Sequence, residues 1–165
     1  MSIFFENFGT TKGVPPVDTN TVNMDNAGNS KENWTSIKEK LMSRRDPVRA
    51  VAMAGYMRNQ FEFLGIGASE RQALTREFIH QTVRELNSAQ IHLMARTLWQ
   101  RKEREFQYLA CDMLTRARRK WTPETFDLVK DLICDKSWWD TVDTLAAHLL
   151  GPLALAFPEL QKRVD

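Results

Sequence analysis

Long apolar runs are absent from this sequence of 165 residues. No apolar run reaches the roughly 18 residues that suggest a transmembrane helix, so we expect no membrane-spanning segment and no membrane partner. The N-terminus also lacks the basic stretch followed by an apolar stretch that marks a secretory signal. We therefore expect a cytoplasmic protein.

Common cofactor and metal motifs are also missing. The chain contains no phosphate-binding loop, no GxGxxG, no GxSxG and no CxxC. Its histidines, His80, His92 and His148, do not have the spacing of metal ligands, so we predict no metal and no cofactor. The two cysteines, Cys111 and Cys134, lie in helical patterns among apolar neighbours, which favours small core residues in a reducing compartment.

Positive charge is in slight excess, with a formal net charge of +2, and it is unevenly spread. Residues 1–30 hold three acids, Glu6, Asp18 and Asp25, against a single lysine. This segment also lacks hydrophobic periodicity, so we predict a flexible N-terminal tail over 1–30. The remaining chain, 31–165, is mildly basic, which is compatible with a nucleic-acid partner.

Apolar residues recur at helical spacing after the tail, and no useful strand-like alternation occurs. Predicted helix starts recur at a step of about 34 residues, near Ser69, Glu103 and Ser137. Further starts fall between them, near Asn87 and Thr122. A step of this length is typical of stacked helix–turn–helix repeats. We therefore predict an all-α fold, an α-solenoid of HEAT-like repeats over 31–165.

Local signals predict where helices begin and where the pattern breaks. Asp46 precedes Pro47, and proline is tolerated at the first helical position. Ser69 and Ser137 are each predicted to begin a capping box, because a glutamine or an aspartate follows three residues later. Two glycines interrupt the stretch 61–67, which predicts a loop there.

The pair Trp139 and Asp143 is the strongest candidate site. In a helix opened by Trp138, these two residues are one turn apart and their side chains are neighbours. Asp140 is predicted to cap that helix, whereas Asp143 has no capping role and is left beside the tryptophan face. The alternative is a half-buried tryptophan next to a solvated aspartate. Trp138 lies on the apolar stripe of the helix, and we also count it among the DNA-contacting residues.

Two other groups are candidates for contacting nucleic acid. Tyr56 and Arg58, at a predicted helix end, could stack on a sugar or base and donate to a phosphate; a core tyrosine is the alternative. A basic cluster could contact phosphates, or could instead place cations near a helix C-terminus. That cluster is Arg116, Arg118, Arg119 and Lys120. The alternating charges of Arg101 to Glu105 predict a solvated face.

Four segments together resemble the AlkD-type DNA alkylation repair enzymes, which are alkylpurine DNA glycosylases built of HEAT-like repeats. The segments are Tyr56–Ile66, Glu70–Arg71, Arg104–Tyr108 and Lys136–Asp143. The resemblance extends over about residues 31–163, with the segments in the family's order and spacing. It implies a concave basic groove that holds duplex DNA, and excision of cationic N3- and N7-alkylated purines. It also implies association with the nucleoid when the protein is bound to DNA.

The resemblance implies a role for three residues. Asp143 matches the family's catalytic carboxylate, Trp139 matches an aromatic that packs on the deoxyribose of the lesion, and Tyr56 matches a second aromatic close to the lesion. Family members continue past the position of Asp165, so a further lesion-facing tryptophan and a phosphate-binding arginine have no counterpart here. The alternative function is a non-catalytic HEAT-like module that binds DNA or protein.

Overall fold

Helices and short turns form the part of the chain that the computed structural model describes, residues 28–163. The α-helices are α1 (Gly28–Ser43), α2 (Pro47–Tyr56), α3 (Ala68–Glu85), α4 (Ser88–Trp99), α5 (Arg104–Arg116), α6 (Pro123–Cys134), α7 (Trp139–Leu145) and α8 (Gly151–Ala156). Short 3-10 helices occupy Arg118–Lys120 and Pro158–Arg163, and a π-helical turn, Ala146–Leu150, joins α7 to α8. The predicted all-α, solenoid-like fold is confirmed. The predicted tail lies outside the described residues, apart from its last three residues, which begin α1.

The helices stack in two layers. In the front layer α3 packs on α5 and α5 packs on α7, whereas in the back layer α4 packs on α6 and α6 packs on α8. The two layers are joined where α4 packs on α5 and α6 packs on α7, and α1 packs on α3 at one end. Each front helix is therefore one repeat step from the next, so residues about 35 positions apart in sequence become neighbours.

Apolar faces of both layers form one continuous core. Helix α5 lies at its centre, and the core includes Phe106, Leu109 and Met113 of this helix, none of which is exposed. From the adjacent back helix α6, Phe126 and Val129 also join the core. Among residues 28–163, no helix is both long and apolar enough to cross a membrane.

Side-chain capping accounts for some of the helix starts. The Asp46 carboxylate accepts a hydrogen bond from the Arg49 backbone N–H at 3.0 Å and caps α2. Asn87 and Gln90 form a reciprocal capping box at the start of α4. The capping box predicted at Ser69 is wrong, because α3 begins at Ala68, one residue earlier, and its N-terminal cap makes no side-chain hydrogen bond.

Two glycines near the site are expected to respond in opposite ways to an added methyl group. Gly55 lies in α2 with no other atom within 4 Å of a new Cβ, so Gly55→Ala should raise the free energy of unfolding by about 0.5–1 kcal/mol. Gly65 has a φ of +91°, and a Cβ there would lie 2.1 Å from the Asp46 carbonyl oxygen. Gly65→Ala should therefore lower stability. Urea denaturation of both variants measures the difference, and equal effects would contradict the described backbone.

Candidate functional site

The turn before α7 differs from the one predicted. Helix α7 begins at Trp139 with Trp138 as its N-terminal cap, so Ser137 neither caps the helix nor pairs with Asp140. Ser137 is exposed. Lys136 precedes it in a left-handed conformation (φ 51°), and its ammonium donates to the carbonyls of Trp99 and Arg101, both at 2.6 Å. This lysine ties the start of α7 to the end of α4.

Asp140 is bound by a buried arginine instead of capping α7. Arg104 Nε and Nη2 donate to the two carboxylate oxygens at 3.0 and 2.6 Å, which is a bidentate ion pair. Arg104 also donates to the Lys136 carbonyl and to the Thr141 hydroxyl, at 3.1 and 2.8 Å. The Tyr108 hydroxyl donates to Asp140 at 2.7 Å. Burial is the main cause that raises the pKa of Tyr108, and this hydrogen bond is the second. Tyr108 therefore stays a donor at any ordinary pH.

Glu105, the next residue along α5, organises the loop that follows α2. Its carboxylate accepts hydrogen bonds from three consecutive backbone N–H groups, of Leu64 (2.9 Å), Gly65 (2.9 Å) and Ile66 (3.1 Å). Arg104 contacts the same loop, because its backbone N–H donates to the Glu62 carbonyl at 2.8 Å. The solvated face predicted for Arg104 and Glu105 is therefore wrong: neither side chain is exposed.

An exposed aromatic corner is formed by two residues far apart in the chain. Tyr56, at the end of α2, and Trp139, at the start of α7, meet edge to face with their ring centroids 6.0 Å apart and their planes at 78°. The two residues are 73% and 51% exposed. Large aromatics at this exposure are typical of binding surfaces, because they offer apolar area and an electron-rich face.

Asp143 lies one helical turn beyond Trp139 on α7 and is exposed. Residues four apart on a helix are neighbours on one face, so the carboxylate is placed beside the Tyr56–Trp139 corner. A negative charge next to two aromatic faces suits a flat or positively charged ligand. The structure thus brings Tyr56 into contact with Trp139 and places Asp143 one helical turn further along α7.

Trp138 and Arg58 have surroundings that differ from those of the Tyr56–Trp139 corner. Trp138 is half-buried and packs edge to face on Phe61, with ring centroids 6.2 Å apart. Its indole N–H has no acceptor among the described residues. Arg58 is exposed in the left-handed turn that ends α2 (φ 54°). Direct DNA contact by these two residues stays a prediction.

The basic cluster lines a cleft of about 990 Å³ beside the front layer. Its walls come from the ends of α3 and α5, from the 3-10 helix that follows α5, and from Thr144 and His148 beyond Asp143. The charged residues lining it are Arg84, Asp112, Arg116, Arg118, Arg119 and Lys120. Lys120 also donates to the carbonyl of Leu86 at 2.6 Å, so its ammonium holds the end of α3 in place. Burial raises the pKa of Asp112, opposed by Arg71.

Comparison with known proteins identifies the chain at the level of its family. The model of the DNA alkylation repair enzyme family matches residues 37–165. The chain belongs to this family. It is also similar to a solved structure, a predicted DNA alkylation repair enzyme from Enterococcus faecalis, with 30% sequence identity and a TM-score of 0.65. That likeness covers 72% of this chain and 55% of the other, so the matched region spans little more than half of the Enterococcus protein. No curated protein is significantly similar.

Sequence reasoning missed the residues that support this candidate site. Arg104 and Glu105 looked like part of a charged surface, although they are buried between the two segments that carry Tyr56 and Trp139. The signal that could have revealed Arg104 was its separation from Asp140 in the sequence. Arg104 and Asp140 are 36 positions apart, about one repeat step, so front-layer stacking places them side by side.

Over residues 28–163, no three His, Cys, Asp or Glu side chains are grouped to hold a metal ion.

Proposed function

We propose that the chain is a DNA glycosylase that excises cationic N3- and N7-alkylated purines from duplex DNA. The observation that carries this proposal is the exposed corner of Tyr56 and Trp139 with Asp143 one helical turn away, in a member of the DNA alkylation repair enzyme family. The corner provides contact area for a flat ligand, and the carboxylate provides negative charge. Both suit a positively charged nucleotide.

The main contribution that the reaction requires from the protein is stabilisation of positive charge. In a cationic alkylpurine the electron pair of the glycosidic bond leaves with the base, which departs neutral without being protonated first. Positive charge then develops on the deoxyribose, and the carboxylate of Asp143 stabilises it. Water adds to the sugar carbon and releases a proton, and Asp143 can orient that water.

The aromatic pair supports the same step. Trp139 packs on the sugar, and Tyr56 is close to the lesion base, so electron-rich faces lie next to the developing charge. Many glycosylases instead rotate the base into a deep pocket. An open corner with half-exposed walls is better suited to a nucleotide that stays near the duplex. The HEAT-like architecture proposed for the two layers would place such a duplex along the front helices.

The proposal is tested by incubating the purified chain with duplex DNA that carries N7-methylguanine or N3-methyladenine. Release of free methylated bases, above the spontaneous rate and absent with unmodified DNA, is the expected result. Chromatography of the released bases measures it. If the chain binds this DNA and releases no base, the glycosylase proposal is wrong, and a non-catalytic DNA-binding module takes its place. Absence of salt-dependent DNA binding would instead favour a protein-binding scaffold.

The cationic cleft favours DNA binding under both candidate functions, and it makes a separate prediction. Replacing Arg116 and Arg119 by glutamine should remove two phosphate contacts, because both line the cleft and are exposed. The slope of log K against log salt concentration should then become shallower by about 2, whatever the sequence of the DNA. Fluorescence anisotropy at several salt concentrations measures the slope. Replacing Lys130 and Lys162, which do not line the cleft, is the control; an equal change there would contradict the assignment.

A further inference from the structure

The loop after α2 and the start of α7 are both attached to the first two residues of α5. Glu105 accepts the three N–H groups of residues 64–66, and Arg104 binds Asp140 and the carbonyl of Lys136. These attachments lie within ten residues of Tyr56 on one side, and next to Trp139 on the other. The two halves of the aromatic corner thus share one support.

Arg104 contacts both segments directly. Its guanidinium stacks on the Phe61 ring, 3.8 Å from the centroid, and Phe61 in turn packs on Trp138. On the opposite side the bidentate pair with Asp140 holds the second residue of α7. A bidentate arginine–carboxylate pair has a narrow range of geometries, so it limits rotation of α7 about its axis. That rotation sets the directions of Trp139 and Asp143, because successive residues turn by about 100°.

We propose that Arg104 and Glu105 are positioning residues, which set the contact of Tyr56 with Trp139 and the direction of Asp143. The inference rests on the proposed function for its link to catalysis, although the positioning itself does not depend on any activity. A buried ion pair often adds no more stability than apolar side chains of the same size would. Its directional hydrogen bonds, by contrast, are something that apolar packing does not supply. Replacing the ion pair by apolar residues should therefore preserve stability while removing the positioning.

The test replaces the ion pair by apolar residues, Arg104→Met together with Asp140→Leu, in the full chain. A control pair of the same repeat spacing is available in the back layer, where Arg96 donates to Asp131 at 2.7 Å across 35 residues, against 36 for the front pair; this pair is partly solvated. The control variant is therefore Arg96→Met together with Asp131→Leu. Glu105→Gln is a second, independent variant, which weakens the loop attachment and leaves Asp140 paired.

The first measurement is ¹⁹F NMR of protein labelled with 5-fluorotryptophan. Trp139→Phe assigns the resonance of Trp139, and Tyr56→Leu gives its position when the ring contact is lost. We expect the front-layer double variant and Glu105→Gln to move the Trp139 resonance towards that position. Trp121, which bonds to the Leu114 carbonyl of α5, should keep its resonance and thereby report intact folding. The control variant should leave Trp139 unmoved.

The second measurement is the single-turnover rate of base release. It should fall about 100-fold in the front-layer double variant, as misplacement of a reacting group by about 1 Å would cause, while the dissociation constant for DNA stays within about threefold. An unmoved Trp139 resonance in a folded variant would overturn the inference, and so would an equal shift in the control. If the unaltered chain releases no base, the proposed function fails, whereas the NMR result still decides whether Arg104 and Glu105 position the corner.

Discussion

Asp143→Asn is expected to lower the single-turnover rate of alkylpurine release by about 100- to 1,000-fold, equivalent to about 3–4 kcal/mol of transition-state stabilisation. Asparagine keeps the shape of the side chain and removes its charge, so the loss measures electrostatic stabilisation of the sugar cation. Because Asp143 is exposed on α7, the variant should fold as well as the original protein. Binding to unmodified DNA should stay the same or become slightly tighter, since the substitution removes a carboxylate that repels phosphates.

Asp127→Asn is a suitable control, since Asp127 is also exposed and lies on the back-layer helix α6. It should release base at the original rate. Equal rates for Asp143→Asn and the unaltered chain would show that another group stabilises the sugar. A comparable loss in both variants would instead indicate a general effect of carboxylate charge on DNA binding, which measurement of the dissociation constants would reveal.

Breaking the Arg104–Asp140 pair on one side should lower the free energy of unfolding by about 3–5 kcal/mol. The two side chains are 0% and 7% exposed, so removing either partner leaves the other charge buried without compensation. Asp140→Asn also weakens the acceptor of the Tyr108 hydroxyl. This loss is a large fraction of the 5–15 kcal/mol by which folded domains are usually stable. Chemical denaturation followed by circular dichroism measures it.

Recovery of stability in the double variant Arg104→Met with Asp140→Leu would separate the cost of a buried unpaired charge from the contribution of the ion pair itself. Removing both charges leaves no buried ion, so most of the loss should be regained. The partly exposed pair of Arg96 and Asp131 provides the comparison. Asp131→Asn should change stability by about 1 kcal/mol or less, because that pair is partly solvated. A similar loss of stability at both sites would contradict the conclusion that burial of the front pair makes its loss costly.

The fold was predictable because its signals are local. Asp46 and Asn87 cap helices as their side chains suggest, and the step of about 34 residues places the front helices within two residues of their observed starts. Tyr56, Trp139 and Asp143 were also named in advance, although their roles stay predictions. The spacing of Trp139 and Asp143 on α7 follows from helix geometry alone. The contact of Tyr56 with Trp139 is non-local, and only the stacked repeats reveal it.

The partner of Asp140 could not be deduced from local rules. A serine three residues before an aspartate is a sound capping signal, but Ser137 does not cap α7, because the helix begins at Trp139, one residue later than predicted. Competition decided the outcome: a buried guanidinium offers the carboxylate two charged hydrogen bonds, and a backbone N–H offers one neutral donor. Similarly, Arg104 and Glu105 have the alternating charges of a surface. Their burial depends on which segments stack over the start of α5.

The shared support at the start of α5 also predicts how the protein opens. Amide hydrogens of Leu64 and Gly65 are bonded to Glu105, whereas that of Thr141, far along the chain, is bonded to Asp140. If one local unfolding event frees Arg104 and Glu105 from both segments, these distant amides should exchange with deuterium at a common opening free energy. The two segments would then form a single cooperative unit within the stack, in which the site is lost as a whole.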